Sequence, residues 1–371
     1  MRLLRFVLSR LSEDLLLLAL LLGFALMLLL TPVEWQRLPQ LVDWHTIAIL
    51  AGLMVLSRGM EDSGALMRAG HLLLERVHTE RQLAVAMVLF AALLSSIITN
   101  DVALFIVVPL TVSLGKLANL PLGRLIIFQA LAVNAGSAVS PIGNPQNLYL
   151  WQRSGDSFIT FAWHMLPIST WMLVGLLLLI LVAFSGRRVA IQAPLVASPA
   201  NRKLFWVSLL CFPIFLLLVE WGQTAIAVIA VLSLFLLGWR RVLQGVDWLI
   251  VLVFILMFIN LGLLAQLSFM VQVVDRLLAL PGAEITGAII LSQFISNVPA
   301  TIFLSEFSQH WYGLAWGANV GGFGLAIGSL ANLIALRLGR QPGLWVPFHV
   351  WSISMLLISL LGAFLLGVVI F

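Results

Sequence analysis

Thr99-Asn100-Asp101, then Asn134, then Gly143-Asn144-Pro145-Gln146-Asn147 form a polar signature inside otherwise apolar sequence. A second set, Ser296-Asn297-Val298-Pro299, Asn319 and Gly328-Ser329-Leu330-Ala331-Asn332, repeats its spacing. In each set the lone Asn precedes the Gly by nine residues, and a final Asn follows that Gly by four. Polar side chains and helix-breaking Gly and Pro are costly in hydrocarbon. Two spaced copies therefore point to a membrane transporter whose site is assembled from two halves.

The surrounding composition agrees with a membrane setting. The chain has 371 residues, 62% hydrophobic and only 9% charged, far from a soluble globular composition. Leu15–Leu30, Trp171–Phe184 and Trp351–Phe371 approach or reach the ~20 apolar residues that span a bilayer. The first run follows Arg2, Arg5 and Arg10, but Thr31-Pro32-Val33-Glu34-Trp35 offers no small-residue cleavage site. It reads as a retained first helix. The net charge of +5 resides in basic loops between apolar segments, which speaks for membrane orientation and against nucleic acid. The single cysteine, Cys211, excludes an internal disulfide and any multi-thiolate metal site.

Spanning segments are expected near 13–31, 44–60, 122–150, 165–184, 203–220, 222–239, 246–268, 312–336 and 345–369. The stretches 82–114 and 284–309 are interrupted by the Thr-Asn-Asp and Ser-Asn-Val-Pro elements. Their arms of roughly 10–16 residues would rise about 15–24 Å at 1.5 Å per residue, short of the ~30 Å core. Both read as re-entrant hairpins. With the N-terminus inside, that topology leaves only Arg37, Arg153 and Arg276 of the 20 basic residues outside. If each hairpin crossed instead, the split would fall from 17:3 to 11:9, which the positive-inside rule disfavours. Trp35, Trp44, Trp163, Trp221, Trp239, Trp248 and Trp345 fall at expected segment ends, as in an aromatic belt.

The same topology makes the halves an inverted repeat, with Asp43-Trp44 and Asp247-Trp248 opening equivalent helices. The expected architecture is an all-α polytopic membrane protein: repeat one over 1–184, a linker with a connecting helix over 185–221, and repeat two over 222–371. The N-terminus would be cytoplasmic and the C-terminus periplasmic or extracellular. The hairpin tips would meet near the midplane.

Asp101 is the only acidic residue deep in an apolar stretch, with no Lys or Arg beside it. An unpaired carboxylate there costs several kcal/mol, so it needs a cation, a proton or several donors. It reads as a Na⁺ ligand or proton carrier, and capping of the following helix is compatible with either role. Asn100 and Asn297, preceded by Thr99 and Ser296, would cap the second hairpin arms or contact substrate and cation. Ser140-Pro141-Ile142-Gly143-Asn144-Pro145 interrupts its span, freeing carbonyls for Na⁺ and half-helix N–H groups for an anion. Gly321-Gly322-Phe323-Gly324 to Gly328-Ser329 would do the same with glycines. Close helix packing is the structural alternative for that run. A nucleotide loop lacks the strand–turn–helix context it needs. Asn147 and Asn332 would face the breaks from the next turn. The expected substrate set is Asn100, Asn134, Asn144, Asn147, Ser296, Asn297, Asn319, Ser329 and Asn332. The coupling set is Thr99, Asp101, Gly143, Asn144 and Gly328.

No catalytic group is expected. The six histidines show no metal-ligand spacing, and His71 and His78 lie with Glu75, Arg76, Glu80 and Arg81 in an amphipathic connector. A membrane enzyme would need a nucleophile with a base or a metal cluster, and an ion channel a continuous polar pore. Neither pattern is present in the sequence.

Thr-Asn-Asp in a hairpin, Gly-Asn-Pro-Gln-Asn in a broken helix and Ser-Asn-Val-Pro in a second hairpin resemble the ion transporter superfamily. That group includes arsenite permeases, one type of Na⁺/H⁺ antiporter and Na⁺-coupled dicarboxylate symporters. Thr99–Leu110, Ala130–Asn147, Ser296–Ala300 and Asn319–Leu336 look closest to a bacterial inner-membrane branch, the YbiR-type transporters. The resemblance implies a scaffold with a moving, elevator-type transport domain, Na⁺ or H⁺ coupling at the tips, no organic cofactor and often a homodimer. Dicarboxylate symporters carry Ser-Asn-Thr at both tips, whereas this chain has Thr-Asn-Asp at the first and Val298 in place of Thr at the second. The Asn-Asp pair looks more like the arsenite-permease branch. The expected function is secondary transport of a small inorganic anion or oxyacid, coupled to H⁺ or Na⁺. A cation/proton antiporter is the main alternative and a Na⁺-coupled dicarboxylate symporter the second.

Overall fold

The computed structural model describes residues 15–30, 35–74, 77–115, 120–189, 200–339 and 341–370. The expected first-helix flanks, with Arg2, Arg5, Arg10 and Thr31–Glu34, lie outside them, as does most of the 185–200 loop. Every regular segment among the described residues is helical. In chain order, those of eight residues or more are α1 (Leu15–Leu30), α2 (Trp44–Asp62), α3 (Ala65–Leu74), α4 (Glu80–Ile97), α5 (Asn100–Gly115) and α6 (Leu122–Ser137). There follow α7 (Pro145–Ser154), α8 (Phe158–Ala183), α9 (Arg202–Glu220), α10 (Thr224–Gly238), α11 (Leu249–Ala265) and α12 (Ser268–Leu278). The last are α13 (Ala283–Ile295), α14 (Asn297–Leu304), α15 (Trp311–Gly321), α16 (Leu330–Gly339) and α17 (Trp345–Ile370).

Local sequence explains many of these boundaries. The side chains of Asp43, Thr79, Ser157 and Asn201 each accept the backbone N–H three residues on, capping α2, α4, α8 and α9. Such a cap contributes about 0.5–2 kcal/mol. The tryptophans of the two Asp-Trp pairs behave alike. Trp44 Nε1 donates to the carbonyl of Pro39 at 2.8 Å, and Trp248 Nε1 to that of Leu243 at 2.9 Å, each five residues back.

Some segments differ from the sequence expectation. Among the described residues, four helices (α4, α8, α9 and α17, the last over Trp345–Gly367) are long and apolar enough to cross a bilayer unaided. Two bent helix pairs raise that number to six. The segment expected over 246–268 ends at Ala265 and turns through 91° into α12. The hairpin arms are also less uniform than expected. α4 has 18 residues, above the expected range, because the helix extends back through Glu80, Arg81 and Gln82 to the Thr79 cap. α14 has only eight, because it ends at Ser305, beyond which Glu306, Ser308 and Gln309 are polar.

Packing is reciprocal between the halves. The first hairpin arm packs on the first half of the broken helix in each case, α4 on α6 and α13 on α15. Close approach depends on glycine. A Cβ on Gly136 would lie 2.3 Å from the Ala92 carbonyl oxygen, and one on Gly317 2.5 Å from that of Ile285. The later halves cross over: α7 packs on α14 and α15, while α16 packs on α5 and α6. A second group of helices lies around them, with α9 and α10 on α2 and α11 on α1. Cys211 is a half-buried free thiol on α9.

Candidate functional site

Both expected interruptions are present. Residues 138–144 separate α6 from α7, and residues 322–329, which include a short 3₁₀ turn at Ala326–Gly328, separate α15 from α16. Asn144 caps α7, its Oδ1 accepting Asn147 N–H at 2.9 Å, with Pro145 at the first helical position. Gly143 is required by crowding, since a Cβ there would come 2.3 Å from the Ser137 carbonyl oxygen. Gly328 closes its turn by donating to the Leu325 carbonyl at 2.9 Å.

The four lone and final asparagines meet across the two halves. Asn134 Nδ2 donates to Asn332 Oδ1 at 2.9 Å, and Ser329 Oγ donates to Asn134 Oδ1 at 3.1 Å. In the mirrored position, Asn319 Nδ2 donates to Asn147 Oδ1 at 2.7 Å, and Asn144 Nδ2 donates to Asn319 Oδ1 at 2.9 Å. Each lone Asn thus joins both polar residues of the opposite break. All six side chains are at least 96% buried.

The same amides take up the carbonyls that the breaks release. Asn147 Nδ2 reaches the carbonyls of Ala138 and Ser140 at 2.9 and 3.1 Å. Asn332 Nδ2 reaches that of Gly322 at 2.9 Å. Gln293, on α13, donates to the Gly321 and Phe323 carbonyls at 2.8 and 3.1 Å and accepts Leu325 N–H at 2.9 Å. The sequence reading left those carbonyls free for Na⁺; here each already holds an amide donor. Gln293 was missed. Its signal was an amide side chain beside Ser292 in an apolar stretch, three residues before the tip.

The hairpin tips are different. Asn100 N–H donates to the Gly143 carbonyl at 2.8 Å, tying the first tip to the first break. Asn297 Nδ2 lies 3.3 Å from where a Gly322 Cβ would stand, against the second break. Around these anchors polar atoms go unpaired. Among the described residues, no donor serves the carboxylate of half-buried Asp101, and no hydrogen bond engages the Asn297 amide or the Thr99 hydroxyl. The Ser296 hydroxyl is fully buried without a partner. Ser296 also has φ +73° and ψ 156°, a region otherwise left to glycine. Strain and an orphaned hydroxyl together cost about 2–6 kcal/mol. No three His, Cys, Asp or Glu side chains among the described residues converge as a metal group.

The arrangement can therefore do two separate things. The asparagine network fixes the two breaks against one another, and the tips offer unsatisfied oxygen and amide groups at the N-termini of α5 and α14.

Comparison with known proteins shows what the whole chain is similar to. A family model described as "Citrate transporter" (CitMHS) matches residues 6–310. The inner membrane protein YbiR of Escherichia coli strain K12 is 46% identical over 349 residues, covering 94% of this chain and 93% of that protein. The transporter MJ0456 of Methanocaldococcus jannaschii is 33% identical over 322 residues, 85% of this chain and 86% of its own. A shorter match, 31% over 147 residues, joins 40% of this chain to 30% of the silicon efflux transporter LSI3 of Oryza sativa subsp. japonica. The relatives are transporters and not enzymes, and this chain belongs to the CitMHS citrate transporter family of the ion transporter superfamily.

Proposed function

We propose that this chain is a secondary transporter of two inverted repeats that moves a small inorganic anion or oxyacid at the two hairpin tips. One observation carries the reading: the asparagines of the breaks are saturated by one another, while Ser296, Asn297 and Asp101 at the tips are not. Buried polar groups normally find partners, so the unmet ones mark where a ligand would complete the structure. Asp101 carries the coupling H⁺ or Na⁺. Asn100, Asn297 and Ser296, with the N-terminal N–H groups of α5 and α14, hold the substrate. The saturated group, Asn134, Asn144, Asn147, Asn319, Ser329 and Asn332, positions the tips and moves with them as one body in an elevator-type cycle. The reciprocal packing of α7 and α16 and the paired Trp44 and Trp248 contacts support the inverted repeat.

No basic side chain stands at either tip. A fully charged anion would rely on half-helix N-termini and a co-bound cation, which favours a weakly charged or neutral oxyacid. The relative named for silicon efflux is in keeping with that chemistry. A cation/proton antiporter is the second reading, favoured by the same lack of basic residues. The Na⁺-coupled dicarboxylate reading is weakened by Val298, which removes a hydroxyl at the second tip.

Thermal stability of the purified protein against arsenite, antimonite, sulfate, phosphate, succinate and citrate tests this, with and without Na⁺ at two pH values. A ligand at 100 times its Kd stabilises by about 2.7 kcal/mol. We expect a shift with an oxyacid that depends on Na⁺ or pH, that dependence being lost in Asp101→Asn. A shift with Na⁺ or pH alone would move the assignment to the antiporter. No response to any condition would overturn the tip assignment.

A further inference from the structure

A polar cavity lies where the starts of α4 and α6 meet the end of α8. It is about 540 Å³ in volume and is lined by Glu80, Arg81, Arg124, Ser185, Arg187 and the end of α8. Three arginines face one carboxylate, and that carboxylate accepts the Ser185 hydroxyl at 2.7 Å. Among the described residues none of the three guanidiniums forms an ion pair.

The cavity is built rather than incidental. Arg81 donates to the carbonyls of Leu181 and Phe184 at 3.1–3.2 Å, and Arg124 donates to that of Ala183. Both thereby satisfy the open carbonyl end of α8 and remain fixed with donors to spare. Arg124 also lies 5.7 Å over the Phe184 ring. The backbone carrying Arg187 is pinned in turn: Glu80 N–H donates to its carbonyl at 3.0 Å, and Arg81 N–H to that of Ser185 at 3.1 Å. The Arg187 side chain itself is exposed and unpartnered among the described residues. On the membrane side, Leu181 and Val182 are 53% and 81% exposed. An anionic group within the cavity would therefore sit directly beside an apolar, outward-facing strip.

We propose that this cavity binds the phosphate of an anionic membrane phospholipid, with the acyl chains lying along Leu181 and Val182. Guanidinium forks match phosphate oxygens, and basic pockets at helix ends are suited to such headgroups. The lipid would pin the loop after α8 to the starts of α4 and α6, and so steady the first hairpin. This inference does not depend on the substrate or the coupling ion.

The test is thermal stability and native mass spectrometry of the detergent-purified full chain, titrated with phosphatidylglycerol or phosphatidylcholine. Phosphatidylglycerol is expected to stabilise the protein and stay bound, and phosphatidylcholine to do neither. Arg187→Glu should weaken phosphatidylglycerol about tenfold. Arg187→Gln should lie between, and serves if the reversal disturbs folding. Arg240→Glu, another arginine outside the cavity, should leave binding unchanged. Equal loss in Arg187→Glu and Arg240→Glu would reduce the effect to general surface charge and overturn the site. Stabilisation by inorganic phosphate alone, with no preference for lipid, would overturn the lipid assignment.

Discussion

Asn134 Nδ2 lies 2.9 Å from Asn332 Oδ1, although 198 positions separate the two residues in the chain. The mirrored bond joins Asn319 to Asn147 across 172 positions at 2.7 Å. Both bonds run between a first-half helix end and the far side of the opposite break. They make the two broken helices one interlocked unit.

Asn319→Ala would orphan the buried Asn147 Oδ1 and leave Asn144 Nδ2 with Ser137 Oγ alone. Interhelical hydrogen bonds in membrane proteins average only about 0.6 kcal/mol, but unmet buried partners cost more. The expected loss is about 1–3 kcal/mol in denaturant unfolding from mixed micelles. Asn134→Ala should cost a similar amount, and Asn134→Ala with Asn332→Ala less than the sum of the two single changes. Simple additivity would show that the network is not a unit.

Ser296→Gly should have the opposite sign. It removes the strain at φ +73° and the buried orphaned hydroxyl together, at the expense of some unfolded-state entropy. The ligand-free protein is expected to gain about 1 kcal/mol, read as a higher midpoint of unfolding. The stabilisation by ligand should shrink in the same variant, because the hydroxyl is no longer available. A variant that is more stable with ligand response intact would show that Ser296 stores strain without contacting ligand.

Gly317→Ala would force a methyl group to within 2.5 Å of the Ile285 carbonyl oxygen and 2.8 Å of the Ala288 Cβ. Backbone atoms cannot turn aside, so α13 and α15 must separate, at about 1–3 kcal/mol. Gly136→Ala should behave alike against Ala92. The check is paired: equal losses at both sites are expected from equivalent hairpin seats, measured by the same unfolding assay.

The tips and the breaks were legible because membrane sequence is so apolar that Asn, Asp, Pro and Gly stand out in it. Thr99–Asp101, Ser296–Pro299, 138–144 and 322–329 interrupt helices where their composition says they must. Partner choice was not legible. Spacing groups Asn134 with Gly143 and Asn147, whereas its side chain bonds Ser329 and Asn332 in the other half. An amide that can serve a substrate can equally serve another amide, and only three-dimensional proximity separates the two. Helix lengths were blurred for a related reason. Apolar runs say little about where a helix stops when no strong breaker follows, as at Ser305.

Asp101→Asn separates structure from coupling. The carboxylate accepts no hydrogen bond among the described residues, so the isosteric amide forfeits none. It also removes a charge from apolar surroundings, which is unfavourable to keep unpaired. Stability without ligand is therefore expected to match or slightly exceed that of the unchanged protein. In proteoliposomes, uptake driven by a Na⁺ or pH gradient should disappear, while exchange of substrate down its own gradient persists. A variant that unfolds would mean Asp101 holds the tip together. One that still concentrates substrate against its gradient would place the coupling ion elsewhere.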